Sequence, residues 1–129
     1  MLECLYVVKL DESFKRYKFI DNTFDPRDLT RQPTRRRAAG IANFNNRFIF
    51  LIGGEVDGKA SVTSSYYQIL KDEWHEAPSL NSKRSCNNSC SLGRFVYTFG
   101  GYSGYSISSI ERLDAKGLLE GMPVSWTLI

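Results

Sequence analysis

Sliding the sequence along itself uncovers a repeat, and a repeat narrows the architectures open to a chain more than any single motif does. A shift of 47 residues sets Arg37 on Arg84, Arg47 on Arg94, Phe48 on Phe95 and Gly53-Gly54 on Gly100-Gly101, with Ile49 on Val96 and Phe50 on Tyr97. No gap is needed across these 18 positions, Arg37 to Gly54. After the double glycine the shift becomes 44, matching Ser64-Ser65 to Ser108-Ser109 and Ile69 to Leu113, and then 52, where Trp74 meets Trp126. Matched blocks separated by drifting shifts describe fixed strands joined by loops of variable length.

The blocks read as strands. Residues 47–52 and 94–99 are short aromatic and β-branched runs, each ended by Gly-Gly and too short for an ordinary helix. Ahead of each lies a stretch of small residues, 38–42 and 85–89, joined to the run by Asn45-Asn46 or Leu92-Gly93, residue types that suit the positive φ angles of tight hairpins. A third strand (64–70; 108–114) and a fourth carrying Trp74 or Trp126 complete a four-stranded antiparallel meander of about 50 residues. Small side chains suit an innermost first strand where neighbouring sheets converge. The glycine pair suits a sharp turn under a neighbouring sheet, and an outer-strand Trp suits the wedge that opens between sheets.

An apolar run ending in double glycine, an aromatic or aliphatic third strand and a spaced Trp resembles the kelch repeat. Phe48 to Gly54, Tyr66-Tyr67, Trp74 and Pro78 carry the resemblance in one copy; Phe95 to Gly101 and Trp126 carry it in the next. In the second copy Glu111 takes the place of Tyr67, and residues 115–125 form an extra segment. The resemblance implies an all-β fold of kelch-type β-propeller blades forming an incomplete ring, with Gly53, Gly54, Tyr67, Trp74, Gly100, Gly101 and Trp126 as its structural signature. The implied divisions are the last strands of a preceding partial blade at 1–22, an inter-blade loop at 23–36, a blade at 37–82 and a blade at 83–129. In that first division Cys4 to Leu10 and Phe14 to Ile20 are the expected strands, with Asp11-Glu12-Ser13 as their turn.

Such families work mainly as binding platforms, so the implied function is a protein-interaction scaffold or adaptor, for example in a ubiquitin-ligase or cytoskeletal assembly, and not an enzyme. The alternative is part of a propeller enzyme of the galactose-oxidase type whose catalytic residues lie outside these 129 residues. Remaining blades would come from the same or another chain.

Charge supplies a candidate surface. Residues 1–50 hold ten Lys/Arg against six Asp/Glu, and residues 51–129 hold seven against eight. The basic excess centres on Arg27, Arg31, Arg35, Arg36 and Arg37. In a meander the loops at 55–63, 102–107 and 21–36 emerge on one face. Arg27, Arg31, Arg35 and Arg36, with Tyr102 and Tyr105, are therefore the expected binding residues, since Arg and Tyr are enriched at interface hot spots. The expected partner is an acidic protein segment, with nucleic acid ranked below it.

Other chemistry finds little support. Cys86 and Cys90, placed on an inner strand, would stand about 13 Å apart at ~3.3 Å per residue, too far to share a disulfide or a zinc ion. With one histidine, His75, no catalytic or metal site and no cofactor is expected. Three cysteines and a start lacking a basic, apolar leader argue against a disulfide-stapled secreted protein. No apolar stretch is long enough to cross a bilayer, and the cytoplasm is the expected compartment.

Overall fold

The computed structural model describes residues 4–8, 14–19, 21–25 and 28–129. It divides into two compact units, 1–35 and 36–129. The expected turn at Asp11-Glu12-Ser13 lies outside the described residues.

In the first unit, β1 (Cys4–Val8), β2 (Phe14–Lys18) and β3 (Thr23–Phe24) form one antiparallel sheet in chain order. β3 falls within the segment expected to be inter-blade loop. Its turn explains the extra strand: Asn22 adopts φ +54°, and the Asp21 carboxylate accepts bonds from the Thr23 hydroxyl at 2.6 Å and the Thr23 N–H at 3.2 Å. Tyr17 then faces Phe24 across the strands, ring centroids 5.1 Å apart.

The second unit holds two four-stranded antiparallel meanders. The first comprises β4 (Gly40–Phe44), β5 (Phe48–Ile52), β8 (Ser64–Gln68) and β9 (Glu73–Ala77), with a separate hairpin, β6 (Glu55–Val56) and β7 (Lys59–Ala60), inserted between β5 and β8. The second comprises β10 (Asn88–Leu92), β11 (Phe95–Phe99), β12 (Ile110–Asp114) and β13 (Thr127–Leu128), with a short helix α1 (Ala115–Leu119) in the expected extra segment. The protein is thus all-β, its two double-glycine runs lie in different sheets, and the described residues close no ring.

Turn chemistry sets the hairpins. Arg47 N–H donates to the Phe44 carbonyl at 3.2 Å around Asn45 and Asn46, both at φ +54°. In the second sheet Gly93, at φ +58°, turns the chain in two residues, because Leu92 pairs with Phe95.

That difference of one residue corrects the alignment read from sequence. Phe48 matches Phe95, a shift of 47, yet Gly40–Phe44 matches Asn88–Leu92, a shift of 48. Arg84 therefore corresponds to Arg36 and not to Arg37; the backbone bridges Arg37 to Glu55 and Ser85 to Tyr102 agree. On β8 and β12 the shift is 46 rather than 44, since Leu51 faces Ser65 as Thr98 faces Glu111. Glu111 thus replaces Ser65, and Leu113 replaces Tyr67. A slip of one residue along a strand exchanges its faces, so the change from 47 to 48 on β4 and β10 decides which of their side chains are buried, whereas the change of two on β12 keeps its faces and moves only the cross-strand partners.

The two sheets pack face to face. Ala42, Phe44, Phe50 and Ile52 of the first meet Val96, Leu113, Ala115 and Trp126 of the second, with Leu80 from the connection between them. They approach most closely along β4 and β10: a Cβ on Gly40 would lie 2.1 Å from Ser89 Oγ, and Ser91 Oγ donates to the Asn43 carbonyl. Small residues on these strands permit that approach. Gly53 adopts φ +66°, and a Cβ there would lie 2.6 Å from the Arg84 carbonyl oxygen, while Gly54 N–H donates to that same oxygen at 2.8 Å. The first double glycine thus turns directly beneath the chain entering the second sheet.

The two tryptophans differ. Trp74 lies within β9 opposite the buried Tyr67, ring centroids 5.2 Å apart. Trp126 precedes β13 instead of lying in it; continuing the β12–β13 register by one residue sets it opposite Leu113. It is buried against the first sheet, its indole Nε1 donating to the Pro78 carbonyl at 2.9 Å.

Candidate functional site

The loops after β5 and β11 meet at an open pocket of about 370 Å³. Local sequence builds it. Asp57 and Gly58, at φ +51° and +75°, form the tip of the β6–β7 hairpin and bring Lys59 to one wall. Lys83 and Ser85, on the strip entering the second sheet, form another wall, and Tyr102, Ser103 and Gly104 close it. The strip is held at both edges: Arg84 N–H donates to the Ser61 carbonyl at 3.1 Å, and Ser85 and Tyr102 exchange backbone bonds at 3.0 and 2.8 Å. Lys59, Lys83 and Tyr102 are exposed, and Glu55 contributes one carboxylate to the rim. Two ammonium groups, one phenol and backbone held in extended geometry suit an extended acidic ligand better than an apolar one.

The expected binding residues separate. Tyr102 lines the pocket. Tyr105 is exposed in the same loop, its carbonyl accepting the Ser103 N–H at 3.0 Å. Arg31 and Arg35 are exposed in the first unit, and Arg27 lies outside the described residues. Arg36 is not a surface residue: it is 8% exposed, and its Nη1 donates to the carbonyls of Leu51 at 3.0 Å and Thr63 at 3.3 Å. Burial lowers its pKa from the usual guanidinium value. Within the run Arg35-Arg36-Arg37, alternation along extended chain turns the middle residue inward.

Reasoning from charge runs missed Lys59 and Lys83 because each is an isolated cation. Asp57-Gly58 was the available signal, since that dipeptide marks a hairpin which presents the residue after it.

The strongest buried electrostatic feature lies behind this strip. Arg84 and Glu111, both fully buried, pair at 2.9 Å. Arg84 also donates to the carbonyls of Gly100 and Ser109, at 2.9 and 3.0 Å. Glu111 accepts the backbone N–H groups of Asn81 at 2.6 Å and Ser82 at 3.2 Å. The pair is therefore a strut that fixes residues 81–84, and with them Lys83, against the second sheet.

Cys86 is not on a strand: it precedes β10 with φ +53°, and only Cys90 lies within it. Both are exposed free thiols. Among the described residues no group of three or more His, Cys, Asp or Glu side chains is placed to hold a metal, and no helix is long and apolar enough to cross a membrane. No protein-family model matches the chain, and no curated protein matches it significantly.

Proposed function

We propose that the chain is part of a kelch-type β-propeller scaffold that captures an acidic protein segment at the pocket between the β6–β7 hairpin and residues 102–104. The observation that carries the binding reading is the pairing of Lys59 and Lys83 around the exposed ring of Tyr102 on backbone held by ladder bonds. The propeller reading is supported by two successive meanders with matching registers, by Gly53 under the neighbouring sheet and by Trp126 seated against it. A further support is the outer face of the second sheet. Leu92, Phe99 and Ile110 are exposed there, on the face that in the first sheet is covered by its neighbour. In this reading the remaining blades cover that surface, from the same or another chain, and the protein acts as an adaptor or scaffold without catalysis of its own.

The test is capture of a fluorescent Glu/Asp-rich peptide by the intact chain and by its Lys59→Glu/Lys83→Glu variant, at two salt concentrations. Binding is expected to fall at least about tenfold in the variant, the loss of roughly 1.4 kcal/mol for two reversed contacts. An Arg31→Glu/Arg35→Glu variant measures the contribution of the first unit's cations separately. Unchanged capture by the lysine variant removes the proposal, and tighter binding of a single-stranded oligonucleotide with a steep salt slope replaces it.

A further inference from the structure

The segment that leads from the first sheet into the second makes three backbone bonds to residues beside the first double glycine. The Arg84 carbonyl accepts the Gly54 N–H at 2.8 Å, the Arg84 N–H donates to the Ser61 carbonyl at 3.1 Å, and the Leu80 N–H donates to the Val62 carbonyl at 2.8 Å. The second sheet repeats the frame that receives these bonds. Ile107 N–H donates to the Gly101 carbonyl at 2.9 Å, as Ser61 N–H does to the Gly54 carbonyl at 2.9 Å. The bridges Ser85–Tyr102 and Tyr102–Ser106 follow the path of Arg37–Glu55 and Glu55–Ala60. Gly101, Ile107 and Ser108 thus hold the places of Gly54, Ser61 and Val62. Among the described residues, however, the Gly101 N–H and the Ile107 and Ser108 carbonyls make no hydrogen bond.

Two more observations point to the same edge. Gly100 adopts φ +68°, close to the +66° of Gly53, yet a Cβ there would have no atom nearer than the Ile107 carbonyl oxygen at 3.8 Å, whereas over Gly53 the Arg84 carbonyl oxygen lies at 2.6 Å. Beside it, Leu92 and Phe99 are 71% and 38% exposed, while their counterparts Phe44 and Ile52, covered by the second sheet, are 2% and 0% exposed. Backbone groups set in register beside an apolar face form a template for another segment. We propose that this face docks a further meander of the chain's own repeat, whose lead-in segment bonds through one extended residue to the Gly101 N–H and the Ile107 carbonyl. Four residues earlier, an apolar residue of that segment donates its N–H to the Ser108 carbonyl. The inference rests on the reading that further blades cover this face; it adds which groups hold them and what the covering segment supplies. The residue in the place of Arg84 needs its N–H and so is not proline, and the residue in the place of Leu80 sends an apolar side chain into the new core, as Leu80 does.

The experiment supplies such a segment. Ile129 N–H donates to the Ile110 carbonyl at 2.9 Å, so Ile129 stands opposite Ile110 as Ala77 stands opposite Ser64. A second copy of residues 78–129 appended directly after Ile129 therefore starts where Pro78 starts after Ala77. Hydrogen exchange at the Gly101 N–H is expected to slow at least about tenfold relative to the intact chain, towards the rate at Gly54. Cys90 of the original sheet, an exposed thiol that strand alternation sets on the same face as Leu92, is expected to be alkylated at least about tenfold more slowly. Shielding of Cys90 with unchanged exchange at Gly101 overturns the proposal and leaves the covering-blade reading standing; no change at either overturns both. Should the fusion be insoluble, a synthetic peptide of residues 78–92 added to the intact chain is the probe. A saturable shift of the Gly101 amide resonance is then expected, and its absence overturns the proposal.

Discussion

The two meanders of the second unit share a register and a turn plan, yet they bury their leading arginines in different ways. In the second sheet Arg84 is matched by Glu111, which also collects the N–H groups of Asn81 and Ser82. In the first, Ser65 replaces the acid, and the residue three before the arginine is Pro33 where the second has Asn81. Proline has no N–H to offer. Acid and donor are therefore replaced together, which marks them as one device, present in one copy and absent from the other. The lesson is that a repeat preserves backbone geometry more strictly than the electrostatics that support it.

The largest expected effect breaks this device. Glu111→Ala leaves Arg84 buried without a counter-charge and strands two backbone donors, and chemical denaturation should register a loss of about 3–5 kcal/mol. Second comes a contrast within the glycine pairs. Gly53→Ala forces φ +66° on an L-residue and sets its Cβ 2.6 Å from the Arg84 carbonyl oxygen; about 2–4 kcal/mol is expected. Gly100→Ala meets nothing closer than 3.8 Å, so only the backbone cost of about 1–2 kcal/mol applies. Equal losses for the two glycines would refute the idea that the neighbouring sheet's close approach sets the requirement at Gly53.

The smallest effect concerns Asp114, which has no acidic counterpart that caps a helix in the first sheet. Its carboxylate accepts the Gly117 N–H at 2.9 Å and pairs with Arg94 at 3.0 Å. The Arg94 guanidinium, and after it the Gly117 N–H, hold its pKa below the usual carboxylate value. Because the folded pKa is the depressed one, this stabilisation is present above the unfolded value of about 3.9 and is lost as pH falls through the folded pKa. Asp114→Ala should lower stability at neutral pH by less than either glycine substitution. The gap between variant and wild type should close in acid, as equilibrium unfolding at stepped pH would record.

Much of the fold was legible because strand pattern, hairpin turns and double glycines are local signals. The stretches 45–54 and 92–101 each combine all three. What was not legible was register between blocks. The β4–β5 and β10–β11 connections differ by one residue, and Arg35-Arg36-Arg37 offers an arginine to any nearby alignment, so Arg37 was matched to Arg84 where Arg36 belongs. The same difficulty hid Glu111, because Ser108-Ser109 can be laid on Ser64-Ser65 as readily as Ile110-Glu111 can. Cross-strand pairing resolves both, since it counts residues from the hydrogen-bond ladder rather than from side-chain likeness. The pocket was half legible: Tyr102 was found by loop geometry, while Lys59 needed its hairpin to be recognised.

The seating of Trp126 against Pro78 and Ser64 also has a temporal meaning. The last member of the core that holds Phe50 and Ile52 is synthesised more than seventy residues after them, as the distance from Ile52 to Trp126 in the chain requires. At ordinary elongation rates of about 5–20 residues per second, this leaves the core around those side chains incomplete on the ribosome for roughly 4–15 s. During nascent growth the first sheet is therefore a natural client for chaperones that hold greasy strands until translation delivers their cover.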